Sequence, residues 1–236
     1  MLRTPAPLKG ALAFFTNNME CEATFDPQFD EYREQLHADL RRLVSYARVY
    51  RRLHDRKADR LREMNIAPAF FGGTVDALYS GIIIWAHKLF DPRGERGLWD
   101  FLSLVENNLI GFSVAALKAR RGYDEGHWML NRQDLTDEEI EGFREEMRSN
   151  KVLKSVKLRR DKYYAHFDKA YFFSKTQFAD DAPLEWAALD ELLELGRRII
   201  NSCSVAFDGK SYSVEPLNIH DIDRLLFKLD GAYKES

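Results

Sequence analysis

An arginine, which stays charged, and a histidine, which titrates near neutrality, stand close together in LRRDKYYAHFDK, residues 158–169. Imidazole can act as acid or base at pH 7, and a guanidinium matches phosphate oxygens with a planar fork. These are the parts with which RNA is cut by its own 2′-hydroxyl. The reaction needs a base for the hydroxyl proton, an acid for the leaving 5′-oxygen, and positive charge for the crowded phosphate. Arg160 and His166 are the catalytic candidates. Lys162 precedes His166 by four and Tyr163 by three, so on a helix both lie on its face, placed to touch RNA or tune the ring. Asp161 belongs to the same stretch. Positions six apart on an ideal helix differ by about 120° and positions seven apart by about 20°. Helical phase therefore favours Arg159 and local context favours Arg160. The reading places Arg160 at the phosphate and keeps Arg159 as a second contact or substitute.

These residues need a scaffold, and the apolar spacing predicts an all-α one. Leu36, Leu40, Leu43, Ala47, Tyr50 and Leu61 recur by threes and fours along 29–64, and no Gly or Pro interrupts them. Pro68 opens a second helix that DPRG, 91–94, closes. A third is expected over 98–117, bent at Gly111, with a loop after it over 120–133. Thr136 and Glu139 form a capping box for a fourth, which breaks near Ser149-Asn150 and runs on towards Phe173. A fifth covers 184–203, and a short last one covers 219–230 behind Asn218. Asp208-Gly209 between β-formers predicts a small hairpin. The expected architecture is an antiparallel bundle of five or six helices over 29–236, with a small C-terminal β-hairpin and an irregular lead-in over 1–28.

Charge is segregated along the chain. Residues 41–62 hold nine Arg or Lys against two Asp, and residues 148–162 hold seven against one, although the whole chain carries a formal charge of −3. Either segment alone reads as a solvated helix face. Arg41, Arg48, Arg52 and Arg56 line one face, and the functional reading gives them the phosphate backbone of RNA. The second segment runs straight into the Arg/His stretch. Cys21 and Cys203 have no metal-ligand spacing, and no metal or other cofactor is expected. The short N-terminal run LKGALAFF is a poor leader, and no stretch of about eighteen apolar residues is present to span a membrane. A cytoplasmic protein without a membrane partner is expected.

The stretch from Arg160 to His166 resembles the motif of the HEPN superfamily, an arginine and a histidine separated by four to six residues. ALYSGIIIWAHKLFDPRGERGLWDFLSLVENN, residues 77–108, is similar to the abortive-infection AbiU-like branch, with an apolar helix ending in Leu-Phe-Asp, a polar turn and a Leu-rich helix. The two stretches carry the resemblance over about residues 29–205. It implies an all-α bundle that forms a homodimer, with the motif helices of two chains facing each other. It further implies a metal-independent endoribonuclease of a toxin or phage-defence system, acting on RNA and in some cases held by an antitoxin. A two-fold dimer would bring two His166 and two Arg160 to one axis, giving base and acid from identical residues. Asp168 stands where some members carry a tyrosine that a partner modifies, so control by that modification is not expected. The alternative is a catalytically inert HEPN-like module that binds RNA or nucleotide or regulates a partner.

Overall fold

Apolar residues at helical spacing build α1 (Lys9–Arg56), and every other long helix is arranged around it. A computed structural model describes the backbone of residues 9–165 and 182–234 and the side chains of residues 25–162 and 182–231. After α1 come α2 (Leu61–Met64), α3 (Pro68–Phe90), α4 (Leu98–Glu106), a 3-10 turn (Leu109–Phe112) and α5 (Val114–Arg121). A second 3-10 turn (Trp128–Leu130) leads to α6 (Asp137–Ser149), α7 (Lys151–Arg159) and a π-helical turn (Arg160–Ala165). α8 (Trp186–Asp208) and α9 (Asp221–Lys234) complete the described chain. The all-α bundle expected from the sequence is the fold observed.

α3 runs antiparallel to α1. Tyr50 meets Tyr79 with ring centroids 5.5 Å apart, Arg42 lies 4.5 Å over the Trp85 ring, and Asp39 faces Lys88 at 3.7 Å. α8 runs antiparallel to α1 on another side, with Arg33 beside Asp208, Leu40 against Gly196 and Tyr50 against Trp186. α7 packs along α3, and α6 packs on α4 and α8. Leu36, Leu40, Leu43, Ala47, Ile82, Ile83, Leu89, Phe90, Leu189, Leu192 and Ile199 fill the core between them.

Several boundaries differ from the sequence reading. The lead-in is helical from Lys9, and Pro27 lies inside α1. Proline removes one ladder bond, and here the aromatic anchors Phe25 and Phe29 hold the helix on both sides of it. α1 ends at Arg56 without Gly or Pro, and the turn lets α2 bury Met64 with Leu53, Phe71 and Leu226 while Leu61 stays 49% exposed. The third helix is two helices joined by the 3-10 turn that buries Phe112. The Asp-Gly hairpin is replaced by the end of α8. Gly209, at φ 76°, is its left-handed cap, and no strand occurs among the described residues. A hairpin turn and a helix C-terminus ask the same positive φ of glycine, so the dipeptide alone does not separate them. α9 starts at Asp221, three residues past Asn218, whose φ is 61°.

Among the described residues α3 alone has the length and apolar content of a membrane-crossing helix, which the sequence reading overlooked. The C-terminal half of α3 buries Ile82, Ile83, Ala86, Leu89 and Phe90 inside the bundle, while 22% of its most apolar stretch is buried.

Arg33 is fully buried. Its guanidinium donates to both carboxylate oxygens of Asp208, at 2.9 and 3.1 Å, and to Asp30 at 2.5 Å. It lies 5.3 Å from the ring centroids of both Phe29 and Tyr212. Burial alone would raise the Asp208 carboxyl, but hydrogen bonds from Arg33 and Lys210 outweigh it and hold the group below its ordinary value. The expected cost of Asp208→Ala is about 3 kcal/mol or more, because a buried cation loses its main partner; urea unfolding measures it. The contribution is complete above the ordinary carboxylate pKa of about 3.9 and fades as the pH falls through the lower folded value.

The arginine stripe of α1 fastens the C-terminal part of the chain. Arg48 binds Asp190 at 3.0 Å and Glu215 at 2.8 Å, and Arg51 binds Asp190 at 2.8 Å. Arg52 and Arg56 both hold Asp223 of α9, and the hydrogen bonds from Arg52, then Arg56, pull that carboxyl down to about 2. Replacing Arg52 and Arg56 together by Ala should speed amide exchange across 221–231 and leave α8 unchanged. In the wild type the same release is expected only as the pH falls below about 3.9 towards 2, the window in which Asp223 takes up its proton.

Candidate functional site

The C-terminal end of α3 is built to present two side chains. Asp91 precedes Pro92, which disfavours helical backbone, and Asp91 leaves the helix at φ −70° and ψ 121°. The next loop folds back on the helix. Gly94 N–H donates to Asp91 O at 3.1 Å, and Arg93 N–H to the Asp91 carboxylate at 3.1 Å. Trp99 Nε1–H donates to Phe90 O at 3.1 Å, and Tyr32 Oη–H to Gly97 O at 3.1 Å. A Cβ on Gly97 would lie 2.9 Å from Leu89 O, so only glycine lets the loop return this closely. The clamp leaves Asp91 Oδ2 3.6 Å from His87 Nδ1, one helical turn away.

The opposite wall comes from α7. The Asn150 side chain caps it, accepting from Val152 N–H at 3.0 Å and Leu153 N–H at 3.4 Å, and Val152 and Val156 enter the core. At Arg160 the helix widens to π geometry through Ala165. Such turns recur at functional sites and break the even angular step of an α-helix. The two arginines, adjacent in the chain, point about 100° apart. Arg159 donates to Ala182 O at 2.7 Å and to Tyr79 Oη at 2.8 Å, which ties the motif helix to α3. Arg160 lines a cavity of about 540 Å³ with Ile84, His87, Lys88, Asp91, Gly94, Glu95 and Arg96. Its Nη2 lies 2.5 Å from Asp161, and its Nε is buried with no hydrogen-bond partner among the described residues.

A second cavity of about 460 Å³ adjoins the first, and both are lined by His87 and Asp91. Arg93, Arg148, Lys154 and Lys157 line the second. The two cavities together are lined by seven Lys or Arg and by the carboxylates of Asp91 and Glu95; of the cations, Lys88 pairs with Asp39, Arg148 with Glu141 and Glu145, and Arg160 with Asp161. Four of those cations belong to the basic run 148–162. A concave surface with this balance attracts phosphates. His87 is 8% exposed, and burial, then the charge of Arg160, pushes its imidazole below the ordinary value. It is therefore neutral at pH 7.

The expected site residues occupy different environments. Arg160 and Asp161 stand at the cavity wall, and Lys162 is half-buried. The Tyr163 side chain, and residues 166–181 with His166, Asp168 and the helix expected to reach Phe173, lie outside the described residues. Arg41 is exposed. Arg48, Arg52 and Arg56, of the stripe expected to track RNA, are partly exposed and pair with carboxylates of α8, α9 and the segment between them. His37 is likewise committed, at 2.9 Å from Ser213 O, and His127 stacks on Tyr123 at 3.8 Å. His87 and Asp91 were not among the residues that the sequence singled out. Their signal was the His-x-x-x-Asp step across the end of an apolar helix, just before Pro92.

The sequence matches the family HEPN_AbiU2, described as AbiU2, over residues 26–226. No curated protein and no solved structure matches it.

The parting of the two arginines has a measurable consequence. Arg159→Ala should lower the unfolding midpoint, because Tyr79 and Ala182 lose a donor that is at least half-buried. Arg160→Ala should cost less, because its ion pair is with the neighbouring, partly exposed Asp161. Equal losses would return both side chains to a structural role.

Proposed function

The chain belongs to the AbiU2 family of the HEPN superfamily, an abortive-infection-related HEPN-type module, and on that premise we propose that it is a metal-independent endoribonuclease of a toxin or phage-defence system. The observation that carries the reading is Arg160, whose guanidinium borders a cation-lined cleft while its neighbour Arg159 is tied down. In this reading a phosphodiester enters the cleft and Arg160 neutralises its non-bridging oxygens. The 2′-oxygen attacks phosphorus as a base takes its proton. The bond from phosphorus to the 5′-oxygen breaks, and an acid protonates that oxygen. His166 supplies proton transfer, and in a two-fold homodimer a second His166 would supply the complementary one.

The test is cleavage of single-stranded RNA in EDTA. The expected products carry a 2′,3′-cyclic phosphate, and a 2′-deoxy substitution at the cut site should block the reaction. His166→Ala should abolish it. Arg160→Ala should slow it on the order of 10²-fold or more, as for the loss of one donor to a developing oxyanion. RNA binding without cleavage by the wild type would favour the alternative, an inert RNA-binding module.

A further inference from the structure

The proposed reaction needs two proton transfers, and the motif offers one histidine per chain. We propose that His87, oriented by Asp91, is a catalytic base of the Arg160 cleft and takes the 2′-hydroxyl proton of a bound RNA phosphodiester. The proposal rests on the ribonuclease reading and deepens it by placing one of the two groups in the same chain as Arg160.

Position is the first argument. His87 and Arg160 line one cavity although they lie far apart in sequence, and His87 also lines the adjoining one. Availability is the second. The His87 ring makes no hydrogen bond among the described residues, and its one close charged partner is Asp91, 3.6 Å from Nδ1. That carboxylate favours a proton on Nδ1 and leaves Nε2 with a lone pair. It also stabilises the imidazolium formed when Nε2 accepts a proton. The loop clamp fixes Asp91, since the same carboxylate accepts the Arg93 N–H.

Charge is the third argument. The groups that face His87 are Asp91 at the end of its own helix, Lys157 on α7, and Arg160 and Asp161 on the π turn. Burial and Arg160 keep the imidazole neutral at pH 7, and Asp91 and Asp161 oppose them more weakly. A base must be neutral to act, and the cations that keep it so would also hold the phosphate. In the step itself the O2′–H proton passes to Nε2 and the freed electron pair forms the bond to phosphorus. The bond to the 5′-oxygen breaks, and that oxygen takes a proton from the acid, the role left to His166.

The experiment is single-turnover cleavage of a single-stranded RNA as a function of pH, with the wild-type chain, His87→Gln and Asp91→Asn. Affinity for the 2′-deoxy analogue and thermal unfolding are measured in parallel. For the wild type, the acidic limb should lie below the ordinary histidine value of about 6.5. His87→Gln should slow cleavage by about 10²- to 10⁴-fold, the usual contribution of general base catalysis. It should erase that limb and leave analogue affinity within a few fold. Asp91→Asn keeps an acceptor for Arg93 N–H and removes the charge that raises His87, so it should move the limb to lower pH. If His87→Gln fails to fold, this displacement carries the test, because a merely structural role would not move it. Wild-type rate and limb in a folded His87→Gln, or an unmoved limb in Asp91→Asn, overturns the proposal. If His166→Ala is dead and His87→Gln is not, the ribonuclease reading stands without His87. If the wild type does not cut RNA, both fall together.

Discussion

A guanidinium with no exposure at all sits between α1 and the end of α8, and satisfying it sets the arrangement of the bundle. Taking Arg33 out of water costs several kcal/mol. That cost is offset only if Asp208 arrives at one place, with the Phe29 and Tyr212 rings closing around the charge. Once that pair is made, the antiparallel register of α1 and α8 is set. Gly196 then falls against Leu40, Trp186 against Tyr50, and Asp190 within reach of Arg48 and Arg51. A slip of one turn would leave a buried charge unpaired at one end and strand the arginines at the other.

The same register reaches the cleft through α3. Asp39 on α1 draws Lys88, and Tyr32 on α1 holds Gly97, so the start of the candidate site hangs from the helix that Arg33 anchors. Arg159 completes the frame by joining the motif helix to Tyr79, two turns earlier on α3. The positive character of the cleft then has a simple origin. The cations of α1 meet acids of α8 and α9, whereas Lys154, Lys157 and Arg160 of the second basic run face the end of α3, where Asp91 and Glu95 are the only carboxylates lining the cavities among the described residues.

Local chemistry was legible where a single residue type meets a single backbone need. Pro68 opens α3, Asp91-Pro92 closes it, and Thr136 and Asn150 cap α6 and α7 as their side chains suggest. Ambiguity began where two structures share one requirement. Asp208-Gly209 serves a hairpin and a helix end equally well, and the answer came from Arg33, 175 residues away. For Arg48, Arg52 and Arg56 the sequence showed a strip of charge but not its carboxylate partners, which lie far along the chain. At the site, Arg160 could be singled out, but the reason it differs from Arg159 could not. Ideal helical phase pointed to Arg159, and no residue in the stretch announces a π turn. His87 and Asp91 were visible as residues, and what makes them a pair is the loop that returns through Gly97.

The π turn has an evolutionary side. A widened turn carries more residues per turn than an α-helix, so residue count and angular position become separate variables across Arg160–Ala165. Deleting one residue there would let the segment close as regular α-helix and sweep nearly the same arc from its first residue to its last. Selection on backbone geometry would then be free to change the residue count without re-aiming the ends of the segment. Motif lengths that differ by one residue among otherwise similar chains would be the trace of that freedom.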